Sequence, residues 1–425
     1  MRDSSYSQPQ ICALPSELVQ FINPGNRIFV QGAAATPVAI LEVLANDHKR
    51  LNGCEIIHLH THGPALYSRH SEFKTVNLFV GENLRGSLDN ERVDYLPCLL
   101  SEIPGIFRNR IRPLDVAIVQ VSPPDQHGLC SLGTSVDIAK AAVDSARVTI
   151  AQINRHVPRT FGDGVFSLNR FTAIWEHDCP LIGCAARHRN EIDDRIAQHL
   201  ASLIEDGNCL QMGIGAIPDA VLSMLKDRKH LGVHTEMFSD EMVPLIESGA
   251  VDNSRKKILA GKTVTSFING TTTVFDFVNE NPSVLFLESS YVNCPENIAK
   301  NRDVVAVNSA VEIDLTGQAV ADSIGTKIIS GFGGQMDFMR GAELSEGGKA
   351  ILALPSRTNK GQSRIVNMIQ PGAGVVTTRA QVQYVMTEYG IAYLYGRTLG
   401  ERARALIAIA HPEDRERLTA EWKKR

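Results

Sequence analysis

One stretch of thirteen residues recurs inside the chain, and this recurrence restricts the fold more than any other feature. Gly32, Ala35, Pro37, Ala39, Leu41 and Leu44 return in step as Gly213, Ala216, Pro218, Ala220, Leu222 and Leu225. Each copy reads as an apolar strand, a glycine-bearing turn, a proline at the first helical position and an amphipathic helix. Two further echoes keep the same order. His60-Thr61-His62 and His234-Thr235-Glu236 each close a strand, and 115–128 answers 303–317, a strand running on to a turn glycine. A duplicated βα architecture explains all three.

Strand-like runs at 27–31, 55–60, 115–121 and 147–152 alternate with helical patterns in the first half. The second half repeats the plan at 209–212, 232–235, 284–287, 304–307 and 350–353. At 425 residues the chain is too long for one ordinary core. The expected fold is α/β, with two tandem, structurally similar open domains, 1–195 and 196–425, and an active site between them. The boundary is set near the charge-rich stretch 187–195.

Net charge is −4, from 43 basic and 47 acidic residues, which offers no global field to gather nucleic acid. There is no apolar run long enough to span a bilayer, and the polar start at 1–9 lacks the marks of a secretory signal. A cytoplasmic protein is expected, with no nucleic-acid or membrane partner and with self-association left open. The eight cysteines are scattered and form no CxxC pair, so reduced structural thiols are expected. Cys179 and Cys184 are the weaker reading, a metal or redox pair.

In open α/β sheets ligands bind at the carboxyl ends of strands. Glu236 stands at such an end, a carboxylate interrupting the apolar run Val233-His-Thr-Glu-Met-Phe. It reads either as a nucleophile for a strongly electrophilic acyl group or as a cap for the helix near Asp240. His234, two residues earlier, reads as its hydrogen-bond partner or as a satisfied core histidine. The cluster Gly331-Phe332-Gly333-Gly334, running on to Gln335, Asp337 and Arg340, reads as an oxyanion hole or as a tight turn. In Gly213-Ile-Gly215-Ala-Ile-Pro218 a proline replaces the third glycine of the dinucleotide fingerprint, so NAD binding is not supported. His58, His60 and His62 alternate on one strand face and invite a metal reading, but no second ligand set follows later strands. Arg340, Lys349, Arg357, Lys360 and Arg364 are candidates for phosphate contacts or an ordinary solvated surface.

These residues resemble the acetyl-CoA hydrolase/transferase family nearly end to end, and within it the enzymes acting on 4-hydroxybutyrate or on butyrate and acetate. Ser122-Pro-Pro-Asp-Gln-His-Gly128 with Ser131-Leu-Gly133, His234-Thr-Glu236, Phe332 to Phe338, Thr387-Glu-Tyr-Gly390 and Ala410-His-Pro412 carry the likeness. The resemblance implies CoA transfer between an acyl-CoA and a short-chain carboxylate. It makes Glu236 the nucleophile, Asn293 the residue that steadies its carboxylate, and Gly333 and Gly334 the backbone donors to the thioester oxygen. Gly213, Gly215, Pro218, Phe332, Gln335, Asp337 and Arg340 are the expected substrate contacts. CoA enters as substrate and covalent intermediate, and no permanently bound cofactor or metal is implied. Glu388 is not the nucleophile in this pattern. The alanine-rich turn 31–37 lacks a serine that some relatives place near the active glutamate. Hydrolysis on the same scaffold and a non-catalytic CoA sensor are the alternatives.

Overall fold

Short runs of branched apolar residues, buried on both faces, form a parallel sheet in each half of the chain. The computed structural model describes residues 8–89, 91–184, 188–213 and 215–424. Most of the polar start, and Arg187 of the charge-rich stretch, lie outside the described residues. The chain divides into two compact units, one of 1–184 with 265–291 and the other of 185–264 with 292–425. The units are thus not consecutive halves.

The main sheet of the first unit has eight strands: β1 (Gln10–Cys12), β2 (Arg27–Val30), β3 (Glu55–His58), β4 (Lys74–Asn77), β5 (Val93–Tyr95), β6 (Val116–Val121), β7 (Val148–Ile153) and β8 (Ala173–Glu176). Their order is β1-β8-β7-β6-β2-β3-β4-β5, and all pairings are parallel. Every residue of the central β6 is buried. Its one polar side chain, Gln120, gives Nε2 to the carbonyls of Ala35 and Thr36 and accepts from Asn154 Nδ2. Gln31 Oε1 accepts from the Gln120 backbone N–H. Gln31 and Gln120 therefore secure the turn after β2, and the burial of these two side chains is compensated.

The second unit holds β9 (Cys209–Met212), β10 (Gly232–Val233), β11 (Val304–Ser309), β12 (Lys349–Ala353), β13 (Tyr384–Thr387) and β14 (Gly390–Tyr393), in the order β10-β9-β11-β12-β13-β14. The pairings are parallel up to the closing β13–β14 hairpin. The run β3-β2-β6-β7-β8 in one sheet matches β10-β9-β11-β12-β13 in the other. The thirteen-residue echo falls on β2 with α1 (Val38–Asn46) and on β9 with α2 (Ala216–Ser223). The duplication seen in sequence is a duplication of sheet order.

The prolines differ slightly from expectation. Pro37 stands just before α1, and Pro218 is the third residue of α2. Both positions lie where the backbone N–H has no helical acceptor, so either is tolerated.

The three alternating histidines of the first unit are held inside it. His58 Nε2 meets the Tyr67 hydroxyl at 3.0 Å, the His60 ring packs against Phe79 and Phe267, and His62 Nδ1 faces the Ile182 carbonyl at 3.1 Å. Burial lowers His58 to about 4 and His60 to about 3. In the unfolded chain both titrate near 6.5, so below that pH unfolding takes up protons that the folded chain does not bind. Stability therefore falls as pH drops from 6.5 toward 4, by about 1.4 kcal/mol per pH unit for each such histidine. Urea unfolding between pH 7 and 5 is expected to show this loss, with a shallower slope in His60→Gln. An unchanged slope in that variant would refute the assignment.

Candidate active site

Glu236 follows β10 by three residues and is partly buried. Backbone pairing fixes the approach: His234 N donates to Leu210 O of β9, and Thr235 N donates to Val264 O. The Thr235 hydroxyl reaches the carbonyls of Met212 and Met237, at 3.2 and 3.1 Å, and so ties this strand end to that of β9. The helix beyond begins at Met242 with Glu241 as its cap residue, so Glu236 does not cap it.

Lys256 braces the strand from within. Only 5% exposed, it donates to the carbonyls of Val233 and Lys262 at 2.9 and 2.7 Å. Burial lowers its ammonium to about 8. It is still largely charged at neutral pH, and together with burial it helps lower His234 to about 4. Sequence reading passed over Lys256, because no local pattern separates it from a surface lysine.

His234 is neutral, and its Nε2 lies 2.8 Å from the Val292 carbonyl. A carbonyl only accepts, so Nε2 carries the proton. Of the two readings of His234, the structure shows a core histidine bonded to backbone, not one bonded to the carboxylate. The carbonyl it holds belongs to the residue before Asn293. The side chain of Asn293 is fully buried, and its Nδ2 donates to Glu236 Oε2 at 2.7 Å.

The glycine cluster arrives from the other side. The crossover from β11 to β12 descends through α4 (Gln335–Leu344), counted after α3 (Pro295–Ala299), so the N-terminus of α4 lies at the carboxyl edge of the sheet. Gly333 turns the chain with φ 54°, and Gly334 is the cap residue at φ −97°. Any residue tolerates the second angle. Space, not backbone strain, demands glycine there: a Cβ on Gly334 would sit 1.7 Å from Glu236 Oε2 and 2.1 Å from Asn293 Nδ2. The approach is set deeper in the unit, where a Cβ on Gly341 would fall 2.5 Å from Ile298 Cγ2 of α3. Close packing of α3 on α4 thus brings Asn293 and Gly334 to one carboxylate, whose negative charge the α4 N-terminus favours.

Other expected contacts are placed as follows. Gln335 Nε2 donates to Thr377 Oγ1 at 3.0 Å, Asp337 is buried, and Phe332 is partly buried beside the loop. Gly213 N donates to Val307 O, while Gly215 caps α2 at φ 120°. Arg340 is exposed and paired with Glu343 at 2.8 Å. Arg357 pairs with Asp414 and Glu413, and Arg364 donates to the Val311 carbonyl, so both act within the fold. Both oxygens of Glu388 receive bonds from Ser356. All eight cysteines, including Cys179 and Cys184, are free thiols.

Residues 2–183 match the family description Acetyl-CoA hydrolase/transferase N-terminal domain, and 270–422 match the corresponding C-terminal domain. A succinyl-CoA:acetate/propanoyl-CoA:succinate CoA transferase of Fasciola hepatica is 47% identical, over 96% of this chain and 87% of that one. A 4-hydroxybutyrate coenzyme A transferase of Clostridium kluyveri is 45% identical over 96% of each. The crystal structure of RipA from Yersinia pestis superposes with a TM-score of 0.92 at 33% identity, covering 98% of this chain and 97% of that one. Likeness to acetyl-CoA hydrolases is partial: that of Kluyveromyces lactis is 33% identical over 55% of this chain and 44% of its own.

Gly334→Ala is expected to keep the circular dichroism spectrum and thermal transition of the parent while transferase activity falls by about 10³ or more, since the added methyl displaces the carboxylate. An active Gly334→Ala enzyme would show that this glycine does not abut the carboxylate.

Proposed function

We infer that this chain, which belongs to the acetyl-CoA hydrolase/transferase family, is a CoA-transferase whose reaction passes through a covalent thioester on Glu236. The CoA-transferase activity follows from identities of 45–47% with enzymes of that name along nearly the full chain. The residue roles rest on one observation, a carboxylate held by Asn293 at 2.7 Å against a helix cap where a Cβ would fall 1.7 Å from Glu236 Oε2 and displace it.

In the proposed sequence the ionised Glu236 carboxylate attacks the carbonyl carbon of an acyl-CoA. The C–S bond breaks, giving a mixed anhydride and CoA thiolate. The thiolate then attacks the glutamyl carbonyl, releasing the first acid as its carboxylate and leaving Glu236 as a thioester to CoA. An incoming carboxylate runs the two steps in reverse and leaves as the new acyl-CoA. No proton is consumed, and the free energy of the thioester is conserved throughout.

The chain's own groups suit these steps. The amide of Asn293 holds one carboxylate oxygen at 2.7 Å, which limits the orientations the nucleophile has to search once an acyl-CoA is bound. N–H groups of the Gly333-Gly334 turn and the α4 N-terminus favour the negative charge that develops on the acyl oxygen. Asn293 Oδ1 and His234 Nδ1 are buried acceptors with no hydrogen-bond partner among the described residues. Such groups cost about 1–3 kcal/mol each, and a site keeps them where geometry matters more than stability.

Acetyl-CoA is the proposed donor or product, with 4-hydroxybutyrate, butyrate or acetate as the partner acid. A cytoplasmic setting is part of the proposal, supported by the eight free thiols. Among the described residues no helix is long and apolar enough to cross a membrane.

Release of CoA from acetyl-CoA is expected to require an added carboxylate. Equal release without one would assign a hydrolase instead. Glu236→Gln should lower transfer by about 10⁴ or more. Protein quenched with acetyl-CoA alone should carry CoA on the peptide containing Glu236, as read by mass spectrometry. An adduct elsewhere would overturn the nucleophile assignment.

A further inference from the structure

A cluster in the first unit, used by no step of the transfer, lies where α1 ends. His48 follows Asp47, the residue that caps α1; His70 closes the short turn Leu66–Arg69; and Glu72 comes just before β4. One donor atom from each of the three lies within 4.8 Å of the others. His48 Nδ1 stands 3.0 Å from Glu72 Oε1, so an imidazole nitrogen and a carboxylate oxygen already face one another. The His48 and His70 rings are stacked, with centroids 4.0 Å apart and planes 19° from parallel.

We propose that His48, His70 and Glu72 form a binding site for a divalent transition-metal ion of the Zn²⁺ class, with water completing its coordination. The stacked rings aim their in-plane nitrogen lone pairs side by side, so one cation, about 2.0–2.1 Å from each nitrogen, is reached once the His70 ring turns about its Cβ–Cγ bond. A carboxylate oxygen close to one of those nitrogens supplies the third ligand and one compensating charge. Two imidazoles and a carboxylate suit Zn²⁺, Co²⁺ or Ni²⁺, whereas Mg²⁺ and Ca²⁺ require more oxygen.

The frame around the donors is firm. Phe73 packs edge-on to His70 at 6.5 Å, and Gly53 N holds the Glu72 carbonyl at 2.8 Å. Two neighbouring cations are held by other groups, Arg50 by Asp47 at 2.6 Å and Arg92 by the carbonyl of His70 at 3.3 Å. The side chains are only 22% (His48) and 26% (Glu72) exposed, which excludes much of the competing water. The ion would clamp the end of α1 to the start of β4, two segments separated by more than twenty residues of chain, and so staple the first duplicated βα unit. The histidines that first suggested a metal in sequence, His58 to His62, are held by Tyr67, aromatic rings and backbone instead.

The test uses chelator-treated full-length protein titrated with Co²⁺ by absorption and with Zn²⁺ by calorimetry. One equivalent is expected, with cobalt d–d bands and no thiolate charge-transfer band, and the thermal transition should rise with ion concentration. In His70→Ala and Glu72→Gln the affinity should fall at least about tenfold while transferase activity, read as the control for folding, stays at the parent level. Absence of binding up to about 100 µM ion would overturn the proposal. So would an equivalent that survives both substitutions, or a thiolate band that assigns it to cysteine.

Discussion

The chemistry proposed for the second unit depends on how closely a helix end can approach a carboxylate. At Gly334 the distance left for a side chain is less than a covalent bond with its van der Waals shell requires, and Glu236 and Asn293 together occupy that space. Three separate elements create the contact. The β10 strand end brings the glutamate, the segment before α3 brings the asparagine, and the β11–β12 crossover brings the cap of α4. A second close approach, Gly341 on Ile298, holds α3 against α4 and so fixes the first. One glycine leaves room for the carboxylate, and another, two turns away, lets α4 pack against Ile298.

Much of this arrangement is legible in sequence because parallel strands buried on both faces leave an apolar run that turn residues interrupt. The expected strand at 209–212 is β9, and those at 115–121 and 350–353 differ from β6 and β12 by one residue. The echo that pairs 32–44 with 213–225 reads local structure, and local structure is what a periodic pattern encodes. The return of 265–291 to the first unit is a different kind of fact. It depends on which distant surface those residues bury against, and nothing in their own spacing records that choice. Lys256 was invisible for the same reason, since its two carbonyl partners are specified by the fold of a loop.

Motif strength and chemical role also separate. Thr387, Glu388, Tyr389 and His411 belong to distinctive segments, yet each has an architectural task here. Thr387 Oγ1 donates to the Ile409 carbonyl, Glu388 holds Ser356, and the Tyr389 ring meets that of His411 edge-on at 5.4 Å. Asp125 of the Ser122–Gly128 stretch accepts from the backbone of His127 and Leu129 and pairs with Arg159. Such residues build corners where polar backbone must be satisfied.

The two copies of the βα unit end on similar sequences and opposite electrostatics. After β3 the chain presents His60 and His62 in an apolar setting that keeps His60 neutral at every physiological pH. After β10 it presents Glu236 beside an amide N–H, a helix N-terminus and, further inside, the ammonium of Lys256 under the strand. Desolvation alone would neutralise a carboxylate as readily as a histidine, and a neutral carboxyl is no nucleophile. What distinguishes the second copy is therefore not exposure but the set of fixed donors around its acid. The duplication supplied two equivalent strand ends, and the proposed chemistry belongs to the one whose carboxylate meets Asn293 and the glycine cap.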